Sequence, residues 1–124
     1  HTLGPEQVIP KPRVTVEDFH NLLGTLHESI TANEGRMVIM IWPFVFQVAD
    51  SREIRTPWQL EMASFAKQHQ VLLLDMVLEF HKLADQHGAH PLYFDRGHAS
   101  GLGNKHLGKL VADLLEQQVK NPIR

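Results

Sequence analysis

Two apolar runs without polar alternation, Arg36–Trp42 (RMVIMIW) and Val71–Met76 (VLLLDM), decide most of what this chain can fold into. The first lies between Gly35 and Pro43, and the second follows a helix-like segment ending near His69. Short continuous runs of this kind read as strands buried on both faces, as in a parallel sheet. Both fall far short of the ~20 residues needed to cross a bilayer.

Helix signals surround the two runs. Thr15 can cap the first turn of a helix, with Glu17 and Asp18 at the positive end of its dipole. Val16, Phe19, Leu22, Leu23, Leu26 and Ile30 then recur at helical spacing, and Asn33-Glu34-Gly35 supplies a stop. Thr56-Pro57, with Gln59 placed for a capping box, predicts a second helix to about His69. Leu78–His87 is helical in pattern and stops at Gly88. A last amphipathic helix runs from about Asn104 to Val119, with Leu107, Leu110, Val111, Leu114 and Leu115 on its apolar side. Phe44–Arg55 reads as a loop with local turns, and Ala89–Gly103 is rich in turn formers. Residues 1–13 read as an irregular lead-in because Gly4, Pro5, Pro10 and Pro12 interrupt them; residues 14–124 read as one domain. Strands alternating with helices predict an α/β fold with a parallel sheet and right-handed crossovers.

That reading carries a difficulty. A sheet of only two strands leaves two unpaired apolar edges. A second copy of the chain, another polypeptide or further sequence of the same protein should cover them, so an isolated monomer is not expected.

Composition removes several function classes. Twelve basic and fourteen acidic side chains give a net charge of −2, without the basic face of a nucleic-acid binder or a polybasic membrane anchor. The absence of cysteine removes disulfides, thiolate metal sites and a cysteine nucleophile. It is compatible with the cytoplasm and leaves export open; no signal peptide is visible. Nine histidines are the unusual feature. His87-x-x-His90 has spacing that suits Zn²⁺, and His81 lies nearby. However, His87-Gly88 reads as a helix stop and His90-Pro91 as an extended dipeptide, so these histidines read as solvated.

The most informative stretch is Leu92–Leu115, LYFDRGHASGLGNKHLGKLVADLL. Asp95 and His98 form D-x-x-H in a loop before the last helix. On a turn, this spacing lets the carboxylate reach the Nδ1–H of the imidazole, which fixes the tautomer and leaves Nε2 as a general base. Asp95 and His98 are therefore the candidate catalytic residues. Arg96 between them reads as an exposed loop residue that could meet an anion.

A D-x-x-H, a glycine five residues after the histidine (Gly103) and an amphipathic helix together resemble the C-terminal block of the SGNH, or GDSL-type, esterase and lipase superfamily. The upstream order is similar too: helix, buried strand ending in Pro43, capped helix, buried strand carrying Asp75, helix. The resemblance covers about Val14 to Val119. It implies a flavodoxin-like three-layer α/β/α hydrolase that acts on esters through a Ser-His-Asp triad and needs no cofactor. In it His98 matches the general base and Asp95 its orienting partner. The G-D-S block of the nucleophile and the G-x-N-D block of the oxyanion hole have no counterpart here. Ser29, Ser51, Ser64 and Ser100 do not sit at a strand-to-helix turn after an N-terminal strand, and Ser100 is too close to His98 in sequence to reach its distal nitrogen. The chain thus resembles the C-terminal half of such an enzyme, inactive alone, with a complementary N-terminal half-domain or a second copy as partner. The alternative reading is a small non-enzymatic α/β protein that self-associates or binds a partner.

Overall fold

The computed structural model describes residues 13–93, 95 and 97–121. The irregular lead-in expected over 1–13 falls almost wholly outside them. The chain is mixed α/β: α1 (Val16–Ala32), β1 (Val38–Ile41), α2 (Val45–Ala49), α3 (Pro57–His69), β2 (Leu72–Asp75), α4 (Met76–His87), a 3₁₀ turn (His90–Leu92) and α5 (Gly101–Lys120). β1 and β2 pair in parallel, with Val38 opposite Leu72 and Ile41 opposite Asp75.

The helix starts follow from their caps. Thr15 Oγ1 accepts from the Asp18 amide at 3.0 Å, and Thr56 and Gln59 close a reciprocal capping box at 3.2 and 3.0 Å. α4 starts at Met76 rather than Leu78 because the Asp75 carboxylate accepts from the Val77 amide at 3.1 Å. α5 starts at Gly101 rather than Asn104 because Ser100 caps it. The 3₁₀ turn takes in His90 and Pro91, which the sequence reading had as an extended dipeptide.

Two apolar clusters hold the elements together. Leu23 of α1, Ile39 of β1, Phe65 and Ala66 of α3 and Val71 form one, with Leu73 against it. Val48, Phe80, Leu92 and Tyr93 form the other, joining α2, α4 and the 3₁₀ turn. Burying a side chain such as Phe65 or Phe80 stabilises the fold by about 1.5–3 kcal/mol.

The strands are not buried on both faces as expected. Ile39 and Ile41 are buried, whereas the alternate residues Val38 and Met40 remain 42% and 39% exposed. α1 and α3 cover one face. On the other, α5 stands off: its Leu110, Leu114 and Leu115 line two clefts of about 440 and 420 Å³ with the strands. Leu22 and Leu26 on α1 are exposed as well. An uninterrupted apolar run marks what a strand can bury, and this chain supplies too few layers to bury all of it.

Where a loop was expected over Phe44–Arg55, the structure contains α2 and a buried amide pair. Gln47 and Gln59 are 0% and 5% exposed, and each donates to the other's carbonyl, at 2.6 and 3.1 Å. Gln47 also donates to Ile54 O and accepts from Phe44 N; Gln59 donates to Trp42 O and accepts from Thr56 N. All four amide heavy atoms are satisfied, as buried polar groups must be.

Two stability predictions follow from this packing. Gln59→Leu should destabilise by about 2–3 kcal/mol in denaturant melts, because it strands several buried polar groups at once. Adding Gln47→Leu should then cost clearly less than it does alone, whereas strict additivity in that double-mutant cycle would show that the amides act separately. Gln70, the C-cap of α3, has φ 55° and ψ 41°. Gln70→Gly should therefore stabilise by about 0.5–1 kcal/mol, raising Tm by a few degrees.

Candidate functional site

The D-x-x-H loop is built from its ends inward. Tyr93 and Ala99 form an antiparallel bridge, and Ser100 N donates to Leu92 O at 3.0 Å. The Ser100 hydroxyl accepts from the Gly103 amide at 3.1 Å and donates to Pro91 O at 2.6 Å. Gly103 is required there, since a Cβ would lie 2.0 Å from Leu92 O. The start of α5 is thus pressed onto the 3₁₀ turn, and the loop between is closed at its base.

Inside the loop the Asp95 carboxylate is the hub. Its Oδ1 accepts from the backbone amides of Gly97 and His98 at 2.9 and 2.8 Å. His98 Nδ1 lies 2.7 Å from Oδ2 and 2.9 Å from Oδ1. The Gly97 amide, then the imidazole and the His98 amide, hold the Asp95 carboxyl down to about 2. This depression is not a signature of function by itself, because Asp50 falls equally far beside exposed Arg52. What separates the two is the partner: an imidazole with Nδ1 engaged presents Nε2 for proton transfer. The His98 side chain is 82% exposed.

The loop docks at the carboxyl end of β1. The Trp42 indole N–H donates to Gly97 O at 2.6 Å, and the Tyr93 hydroxyl to Pro43 O at 2.9 Å. The Phe44 ring lies against Gly97. Ligands of open parallel sheets bind at this end of the strands. β2 ends here with Asp75, whose carboxylate caps α4 and meets Arg55 Nη2 at 3.0 Å. The Arg55 side chain is only 9% exposed and also pairs with Glu53 at 3.2 Å. Asp75 therefore anchors structure.

Other sequence candidates fall elsewhere. The Ser100 hydroxyl is engaged as a cap, which removes it as a nucleophile. His87 meets the His106 ring at a centroid distance of 5.4 Å. Among the described residues no group of three or more His, Asp or Glu side chains is placed to hold a metal ion. Arg96 lies outside the described residues. Trp58 donates its indole N–H to Val14 O at 3.2 Å, a packing role. The two clefts beneath α5 do not include Asp95 or His98. Sequence reasoning missed the contacts of Trp42, Phe44 and Arg55 with this region; the signal available was the aromatic run W-P-F-V-F directly after a strand.

No protein-family model, curated protein or solved structure matches the chain.

The carboxyl of Asp95 should titrate in a ¹³C NMR experiment with a midpoint near 2. Because this is below the ordinary 3.8, its bonds favour the fold above that pH and cease to do so as the pH falls through the folded midpoint. In His98→Ala the midpoint should rise only part of the way, since the two backbone amides still donate. A wild-type midpoint of 3.8 would mean that the carboxylate is not held.

Proposed function

We propose that this chain is the C-terminal part of an SGNH-type ester hydrolase with a flavodoxin-like three-layer α/β/α fold, and that it contributes the histidine and aspartate of a Ser-His-Asp triad. The observation that carries the reading is the turn-locked Asp95–His98 pair at the carboxyl end of a parallel strand, with Nδ1 bonded and the ring open to solvent. In the reaction, His98 Nε2 takes the proton of a serine hydroxyl as its oxygen attacks the ester carbonyl. The imidazolium, steadied by Asp95, passes that proton to the departing alcohol oxygen. Water then cleaves the acyl-enzyme with His98 again as base. The serine and the oxyanion donors come from a complementary N-terminal half, whose strands extend the sheet and cover apolar side chains such as Val38 and Met40.

A second reading draws on exposed apolar side chains of both β1 and α1. Exposed Val38, Met40, Leu22 and Leu26 favour a non-enzymatic protein that self-associates.

The 124-residue chain alone should show no turnover of activated short-chain esters, because loss of a triad nucleophile costs on the order of 10⁶-fold. Supplying the G-D-S-bearing segment encoded upstream should restore activity, and His98→Ala should abolish it again. An upstream coding sequence without such a block would overturn the hydrolase reading. Light scattering of the chain alone at micromolar concentration should give a mass above 14.1 kDa. A clean monomer with a cooperative melt would remove self-association.

A further inference from the structure

The dyad loop is closed at its base, but its tip has little to rest on. The hydrogen bonds that Asp95 accepts come from Gly97 and His98 and stay within the tip. Among the described residues a single hydrogen bond joins Asp95, Gly97 or His98 to the rest of the molecule: Trp42 Nε1–H to Gly97 O, at 2.6 Å. The Phe44 ring lies against Gly97 as well, a contact without hydrogen-bond direction. The His98 side chain, 82% exposed, takes no orientation from burial.

The bond falls on a particular peptide. The Gly97 carbonyl and the His98 amide belong to one planar unit. Its oxygen accepts from the indole, and its N–H donates to Asp95 Oδ1 at 2.8 Å. The plane from which the His98 side chain departs is thus clamped at both ends. Accepting a bond at oxygen also polarises the peptide and strengthens its N–H as a donor to the carboxylate. The clamp has a firm base. Trp42 directly follows β1, its carbonyl accepts from the Gln59 amide at 3.1 Å, and its ring packs on buried Phe80 with centroids 6.3 Å apart.

We propose that Trp42 is a positioning residue: its indole N–H fixes the Gly97–His98 peptide and, through it, the aim of the general base. It meets neither the ester nor the proton in transfer. The effect on turnover rests on the hydrolase reading; the effect on the loop does not.

Trp42→Phe keeps a ring against Phe80 and removes the N–H. In a ¹³C titration of the labelled variant, the Asp95 midpoint should rise from about 2. Asp50, held equally low by Arg52, is the internal control and should stay where it is. Above neutrality the ¹⁵N signals of the His98 ring should move toward the Nε2–H tautomer, because Asp95 grips Nδ1–H less firmly. Unmoved Asp95 and His98 signals would overturn the proposal. If both carboxyls rise together, the phenylalanine variant has lost its fold. Site-specific 3-benzothienylalanine at position 42, with sulfur in place of the N–H and the outline of the indole, then decides. A rise confined to Asp95 supports the proposal, and a joint rise there as well would make the bond a fold contact and overturn it.

In the protein reconstituted with the G-D-S-bearing segment, Trp42→Phe should lower kcat about tenfold with KM nearly unchanged. An unaltered kcat would also overturn the proposal. The two readings fail separately. An inactive reconstituted wild type removes the hydrolase and leaves the loop test standing, whereas unmoved loop signals in an active protein remove the role of Trp42 and keep the triad.

Discussion

The amide pair Gln47–Gln59 is the contact on which the upper end of this molecule depends. Each side chain is buried and each has exchanged its water for protein partners drawn from four segments: the exit of β1, the first turn of α2, the 50–56 loop and the start of α3. A buried amide with one partner missing would be a liability of about 1–3 kcal/mol; with every partner present it fixes geometry instead. Through Trp42, whose carbonyl accepts a hydrogen bond from the Gln59 amide and whose indole N–H donates to Gly97 O, that geometry reaches the loop of Asp95 and His98.

The opposite constraint is what the chain leaves uncovered. A two-stranded parallel sheet has one face packed on α1 and α3 and another facing clefts beneath α5. Cores normally pack nearly as densely as organic crystals, so side-by-side clefts over a sheet mark a layer that is loosely closed. A third cleft of about 430 Å³ opens between α2 and α4, lined by Val48, His81 and Ala84, so loose closure is not confined to the region beneath α5.

Much of this was legible in residues. Thr15, Thr56 with Gln59, and Gly88 announced helix ends because caps are local chemistry, written within four residues. Asp95 and His98 announced their pairing for the same reason: a turn needs only three-residue spacing to bring carboxylate and imidazole together. α2 was not legible. VFQVA is five residues, too short for helical periodicity to register, and it is held by Gln47, a polar side chain whose partner Gln59 lies twelve positions on. The burial of β1 was overestimated because an apolar run records potential burial, and whether a second layer exists is decided elsewhere in the chain. Trp42 and Phe44 were visible as letters, but their contacts with Gly97 join residues more than fifty positions apart.

Gly103 sets a different kind of limit, one on how such a sequence can drift. At Gly101 and Gly108 an added methyl meets nothing within 4 Å, so α5 can accumulate change at its glycines on either side. At Gly103 the helix axis itself would have to retreat from Leu92, carrying Ser100 away from Pro91 and opening the base of the loop. A mutational scan of α5 would find two tolerant glycines around an intolerant one, and the intolerant position would record the history of the loop's shape, not of the helix's stability.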